Sequence, residues 1–314
     1  MPGIDVLGLG AVAVDDLLFL EKFPRPDSKM EIQKCERHAG GLSGTALVAA
    51  RRMGRSCAYA GTLGEDELSR FIIDGFIAEG ISVDSLVAVE GARPFHSTIL
   101  VDTSARTRTI LYSAQNVIGA SATAPSEDVI RDSRVLLVDH TGLTGMIRAA
   151  RVAHAAGIPV VADFEHEDEA GLFGEILSLA DHLILPFDFA HAISGAREPS
   201  EIVDVLWSPG RKAVVITQGE RGSWYRTQEE PGRFFHQPAF SVDVVDTNGC
   251  GDVFHGVYAS GLSENRSAAE RIRFAACVAA MKATHAGGQA GIPSRAEADA
   301  FFKIRQGTAA RSER

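Results

Sequence analysis

Residues 134–139, Arg-Val-Leu-Leu-Val-Asp, form a short run that is apolar at every position but its ends. A strand with one wet face alternates apolar and polar residues. A continuous run of this length instead fits a strand buried on both faces of a parallel sheet. Residues 146–156 follow with apolar side chains at helical spacing, and Gly157 is placed to cap that helix. Residues 158–162 (IPVVA), 182–185 (HLIL) and 213–217 (AVVIT) repeat the strand signal, with helical segments between them. The alternation predicts βαβ units, hence an α/β fold with a doubly wound, mostly parallel sheet flanked by helices.

Two regions break this rhythm. Residues 12–38 and 93–117 carry extended pieces at 16–20, 30–35, 97–102 and 107–112, separated by turn-rich stretches such as Pro24-Arg25-Pro26-Asp27-Ser28. A helix-rich stretch, residues 43–80, lies between the two regions. They predict one small β-sheet lid inserted in the core of a single domain spanning residues 1–314. Exposed strand edges on such a lid favour pairing with a second copy, so a homodimer through the lid is expected. The polar tail, 306–314, is expected to fray.

Composition sets the outer bounds. The 314 residues are 45% hydrophobic and 23% charged, which are globular proportions. Lys and Arg number 31 against 41 Asp and Glu, a net charge of −10, and no basic run tracks a phosphate backbone. Nucleic acid is therefore not an expected partner. Neither is a membrane: the N-terminus lacks the basic start of a signal peptide, and the apolar runs fall short of a span. Cys35, Cys57, Cys250 and Cys277 are scattered with no CxxC pair. That spacing argues against a disulfide framework or zinc site and points to a reducing, cytoplasmic location.

The chemistry concentrates near the C-terminus, in Asp246-Thr247-Asn248-Gly249-Cys250-Gly251-Asp252, followed by Val253-Phe254-His255-Gly256. An apolar segment, residues 239–245, precedes it, and a helical pattern follows. Two glycines around a small residue at a helix start let backbone N–H groups converge on an anion, with the helix dipole adding positive potential. An Asp in the first turn is placed to take a proton from a hydroxyl that attacks a phosphoryl group. The pattern alone equally fits a turn in which Asp252 caps the helix.

The whole string resembles the DTxGAGD signature of the PfkB (ribokinase-like) carbohydrate kinases, with Cys250 in place of the usual Ala. Other stretches carry the resemblance across most of the chain. Residues 8–15 (GLGAVAVD) look like the family's opening strand, which ends in a sugar-binding Asp. Gly40-Gly41 before a helix resembles its diglycine motif, residues 215–222 (VITQGERG) its nucleotide-side TxGxxG turn, and residues 287–293 (GGQAGIP) its closing loop. Within the family, residues 236–256 and 287–293 look closest to bacterial sulfofructose kinase and related sugar kinases, whereas residues 106–112 (RTRTILY) are similar to ketohexokinase.

The resemblance implies an ATP- and Mg2+-dependent kinase of a sugar or sugar-like hydroxyl. Asp252 is its general base, and Gly249, Cys250 and Gly251 supply the anion-hole amides. Asp15 accepts hydrogen bonds from sugar hydroxyls, with Gly40, Gly41 and Thr45 beside it. Lys29 and Arg108 are candidates to reach an anionic group on the substrate. Thr217, Gly219, Gly222 and Thr247 face ATP. The carbonyls near Asp246, Asn248 and Gly287 correspond to where relatives bind a monovalent cation, K+ being the candidate.

Several residues depart from the pattern. The family's N-x-x-E motif, which organises magnesium and water, is replaced by Phe187-Asp188-Phe189-Ala190, leaving Asp188 or Asp163 as candidates for that task. Around His140-Thr141 there is no Arg to meet a sulfonate, which counts against sulfofructose. A Gly8-x-Gly10-x-x-Ala13 pattern superficially fits a dinucleotide fingerprint, but β-branched and aromatic strand formers follow where that fingerprint needs a helix. Two alternatives to a sugar kinase remain at this level: a non-catalytic sugar sensor on the same fold, and a nucleoside kinase of the same family.

Overall fold

The computed structural model describes residues 3–105, 107–167 and 171–312. Eight strands form the main sheet, in the spatial order Phe235–Gln237, Ser223–Thr227, Ala213–Thr217, His182–Pro186, Val160–Asp163, Ser133–Asp139, Ile4–Gly8 and Cys57–Tyr59. The pairings of Ser223–Thr227 with both its neighbours are antiparallel, and the other five pairings are parallel.

The run at 134–139 shows why the fold takes this form. Val135 and Leu137 join the apolar core on one face of the sheet, while Leu136 and Val138 join the core on the other. All four are at most 2% exposed. Each such burial contributes about 1.5–3 kcal/mol of transfer free energy, so slipping the strand by one residue would expose no polar face and gain nothing. Helices Leu42–Arg52, Cys250–Ser263 and Ala268–Lys282 cover the first core. Helices Leu143–Ala155, Phe173–Leu179 and Pro199–Leu206 cover the second.

Helices Leu42–Arg52 and Cys250–Ser263 approach so closely that a Cβ on Gly256 would collide with the Ala46 carbonyl oxygen. That oxygen is helical backbone and cannot step aside cheaply. Gly256→Ala is therefore expected to lower stability by about 1–3 kcal/mol, the usual scale of overpacking. Urea unfolding would show a lower midpoint with an unchanged slope; an unchanged midpoint would contradict this account of the packing.

The second sheet has four strands in the order Lys34–Gly40, Ala13–Leu20, Phe95–Asp102 and Thr107–Ser113. Its members coincide with the two regions of extended character, with one shift. The strand expected at 30–35 runs instead over Lys34–Gly40, because its partner ends at Leu20 and pairing begins at Phe19 with Lys34. The alternation at 30–33 has almost nothing to pair with. A second correction concerns Asp15. The opening strand Ile4–Gly8 stops before it, and Asp15 lies inside a strand of the small sheet.

The apolar segment at 239–245 forms no helix or strand, and Val244 and Val245 are exposed. The last helix runs Arg295–Ser312, through most of the stretch expected to fray. All four cysteines are free thiols. Among the described residues, no helix is long and apolar enough to cross a membrane.

Candidate active site

From Ile4–Gly8 the chain moves to Cys57–Tyr59 on one side, and from Ser133–Asp139 it winds outward on the other. The strand order therefore reverses between Ile4–Gly8 and Ser133–Asp139, and open α/β sheets bind ligands outside the carboxyl ends of strands at such a point. Asp139 stands there, the last residue of its strand. Its two oxygens accept the Ala11 N–H at 2.6 Å and the Thr141 N–H at 2.7 Å. Burial pushes its pKa up to about 6. The segment after Gly8 is thus steered into the small sheet, and no helix follows the Gly8-x-Gly10 pattern.

Asp163 ends the neighbouring strand and is likewise buried. Its Oδ2 lies 3.1 Å from His255 Nδ1 yet makes no hydrogen bond. Burial, with the nearby charges of Glu165 and Asp139, raises its pKa well above the ordinary range. His255, from the helix that carries the motif, places Nδ1 at 2.8 Å from the Gly251 carbonyl and Nε2 at 3.0 Å from the Ile184 carbonyl. Two carbonyl acceptors are both satisfied only by the doubly protonated ring. Burial pushes the ring's pKa down, and the carbonyls, Asp252 and Glu165 pull the other way.

Asp252 occupies the first turn of Cys250–Ser263, where Gly249 caps the helix in a left-handed conformation at φ 76°. Its carboxyl is raised well above the ordinary range, first by burial and then by Asp163 and Glu165. The turn before it is partly closed: Cys250 N–H donates to the Thr247 carbonyl at 3.2 Å. Gly251 is exposed at the helix start, with open space where a Cβ would stand.

The small sheet delivers the opposite wall. Asp15 is bonded by the Ser97 side chain, and burial raises its pKa. A Cβ on Gly40 would stand 3.0 Å from Asp15 Oδ2, so that face of the carboxylate is kept free of side chains. Asp16 points the other way, onto Arg37 at 2.7 Å and His96 at 2.9 Å. Gly41 begins the next helix at φ 87°, where a side chain would strike the Val12 backbone.

The closing loop joins the two walls. A Cβ on Gly287 would meet His38 Nδ1 at 3.1 Å, and one on Gly249 would meet the Gly288 carbonyl at 2.9 Å. Gln289 Nε2 donates to the buried Thr45 hydroxyl at 3.4 Å. The loop thus touches His38, Ala39 and Thr45, on the same strand and helix as Gly40 and Gly41, and also Asn248 and Gly249 of the motif turn. The sequence gives no sign of His38, Ser97, Glu165 or His255 as neighbours of this cleft. Each occupies an ordinary strand, helix or loop position, and only the register of the two sheets assembles them.

The remaining candidates fall as follows. Thr217 ends a parallel strand, its hydroxyl 3.4 Å from the Leu185 carbonyl, and Gly219 and Gly222 frame the turn that follows. Thr247 is exposed. Lys29 sits on the exposed connection between two strands of the small sheet. Arg108 reaches across from the edge strand to Asp246 Oδ1 at 2.7 Å. Asp246 also accepts the Asn248 N–H and the Gly287 N–H, each at 2.9 Å. Burial alone would raise its carboxyl, but these amides together with Lys282 and Arg108 hold it below the usual range. Phe187 and Asp188 open the helix Phe187–Ser194, in which Ala190 is fully buried.

The sequence model described as pfkB family carbohydrate kinase matches residues 4–295. A curated relative, the ribokinase of Haemophilus influenzae, is 28% identical over 302 residues, covering 94% of this chain and 97% of its own length. The solved structure of Thermotoga maritima ribokinase superposes with a TM-score of 0.83 at 22% identity, over 96% of this chain and 99% of that one. Arabidopsis thaliana ribokinase, solved in complex with ribose and ATP, gives 0.83 at 21% identity over the same shares. These two likenesses bear on the fold.

Proposed function

The chain belongs to the pfkB family of carbohydrate kinases, and from that membership we propose that it transfers the γ-phosphoryl group of ATP to a hydroxyl of a sugar, with Asp252 as general base. The observation that carries this reading is that one closing loop meets His38 and Thr45 on the wall that holds Asp15, and Asn248 and Gly249 in the turn that leads to Asp252. An acceptor-only carboxylate on the lid side holds hydroxyls; a raised carboxylate at a helix start receives the proton of the one that reacts. As the sugar oxygen bonds the γ-phosphorus, its proton passes to Asp252, the bond to the β-bridging oxygen breaks, and ADP leaves. The Gly249–Gly251 turn and its helix dipole stabilise the charge on the transferring group. ATP approaches from the side of Thr217, Gly219, Gly222 and Thr247.

Magnesium fits beside Asp163 and Glu165. The buried Oδ2 of Asp163, which lies 3.1 Å from His255 Nδ1 and makes no hydrogen bond, would suit a water carried by the metal, and it stands next to Asp252. Among the described residues no group of three His, Cys, Asp or Glu side chains is placed to hold a metal unaided. Mg2+ commonly keeps several waters and relies on substrate phosphates. When bound, it neutralises charge on the β- and γ-phosphates.

The edge strand Thr107–Ser113 is exposed along its whole length and carries Ile110, Leu111 and Tyr112 at 47%, 56% and 72% exposure. Such an edge supports a homodimer formed through the lid. Light scattering at micromolar concentration is expected to give twice the chain mass; monomer alone would remove the dimer.

ADP release, measured across ketoses, aldoses, sugar acids, phosphosugars and nucleosides, tests the reading. Stimulation by a sugar supports it; stimulation by nucleosides alone moves the substrate class; stimulation by none turns the chain into a sensor. On a responding sugar, kcat is expected to fall as pH drops through the raised pKa of Asp252, because only the ionised carboxylate accepts a proton. That acid limb should lie above the ordinary carboxylate range. A limb at the ordinary carboxylate position would contradict the environment described for Asp252.

A further inference from the structure

Lys282 is the last residue of the helix Ala268–Lys282, and its side chain is wholly buried. A buried ammonium is costly unless it is paired and hydrogen-bonded. Here Nζ donates to the main-chain carbonyl of Asp246 at 3.0 Å, directly at the start of the motif turn. The C-terminal end of its own helix contributes further negative potential. The charged groups that act on it are Asp246, Arg108 and Asp252, with the neutral Cys250 thiol beside them. Burial lowers its pKa, while Cys250, Asp246 and Asp252 favour the charged form.

This arrangement bears on the expected potassium site. Asp246 was one of the groups expected to surround a monovalent cation, and its acceptors are already engaged. Its carbonyl takes Lys282, Oδ1 takes Arg108 and the Asn248 N–H, and Oδ2 takes the Gly287 N–H. A potassium ion there would also face two fixed positive charges at close range. At Asp246, the groups present do not fit the ion.

We infer that the Lys282 ammonium takes the place of the monovalent cation, fixing the Asp246–Gly251 turn and charging the floor of the anion hole from within. Phosphoryl transfer then runs without potassium. Lys282 touches neither substrate nor nucleotide; it acts through the turn, as a positioning residue. The inference rests on the kinase reading above. A protein that transfers no phosphoryl group in any medium fails that reading, whereas one that transfers but requires potassium fails only this inference.

The test compares kcat in K+, Na+ and tetramethylammonium chloride at constant ionic strength, for the wild type and for Lys282→Met, Lys282→Arg and Lys282→Ala. The wild-type rate is expected to be the same in all three salts. Lys282→Met keeps the bulk and loses the charge, and should lower kcat by about 10²–10³-fold, the scale of removing one charge-stabilising group. Lys282→Arg should recover part of that loss. Lys282→Ala opens space, so K+ but not tetramethylammonium should raise both its kcat and its thermal midpoint. A wild type that is active in K+ and nearly inactive in tetramethylammonium overturns the inference, and so does a Lys282→Met protein with normal kcat. If the variants do not fold, the wild-type salt comparison still decides.

Discussion

Replacing Asp252 with Asn is expected to lower kcat by about 10²–10⁴-fold, the range for loss of a general base. Asn is nearly isosteric and cannot take the hydroxyl proton, while Asp15, Thr45 and the glycine turn are left in place. Sugar affinity should therefore survive. The substitution also removes one charge from a crowded group, since Asp252 is raised by burial and by Asp163 and Glu165. Stability should hold or rise, so the lost rate cannot be read as unfolding. The acid limb of the pH profile should disappear with the carboxylate. Steady-state rates beside calorimetric sugar titration check each of these points. A near-normal kcat on a confirmed substrate would sink the mechanism.

Asp15→Ala is expected to fail in the complementary way. Asp15 lies in the small sheet, bonded by Ser97, with the Gly40 backbone as its open side. A carboxylate accepting from two hydroxyls makes charge-assisted bonds, each worth more than a neutral one. Their removal should weaken sugar binding by about 1.5–3 kcal/mol, or roughly 10–150-fold in Kd. ATP affinity should change little, because the turn at 217–222, proposed to face the nucleotide, joins two strands of the main sheet. Titration of both ligands into the variant separates the two effects. Equal weakening of ATP and sugar would point to collapse of the lid instead, and normal sugar binding would move the sugar site away from Asp15.

The division between legible and hidden residues follows the range of the interactions. Residues 134–139 announce a two-faced buried strand because all four positions between the ends are apolar, and that property needs no partner to be seen. The extended segments of the small sheet are visible for the same reason, yet the strand Lys34–Gly40 was expected four residues early. Its bounds are set by where Leu20 ends its neighbour, which is a matter of register across the sheet. The motif at 246–252 is local, so its carboxylate and glycines could be named from the chain alone. Lys282 could not. It lies 36 residues beyond Asp246, at a helix C-terminus, where a lysine ordinarily reads as a solvated charge favoured by the dipole. Only the approach of that helix end to the turn buries it. Asp163 is similar: its burial beside His255 depends on its strand end meeting the helix that carries the motif.

Binding data alone leave untested whether this cleft performs chemistry on a bound sugar. Phosphorus NMR of the enzyme with ATP, Mg2+ and the sugar of highest affinity addresses it directly. The account predicts a phosphomonoester resonance growing in step with ADP in the wild-type sample, and neither in the Asp252→Asn sample at equal sugar occupancy. A sugar that saturates the wild-type protein while ATP stays intact, or yields ADP and free phosphate without an ester, would contradict it.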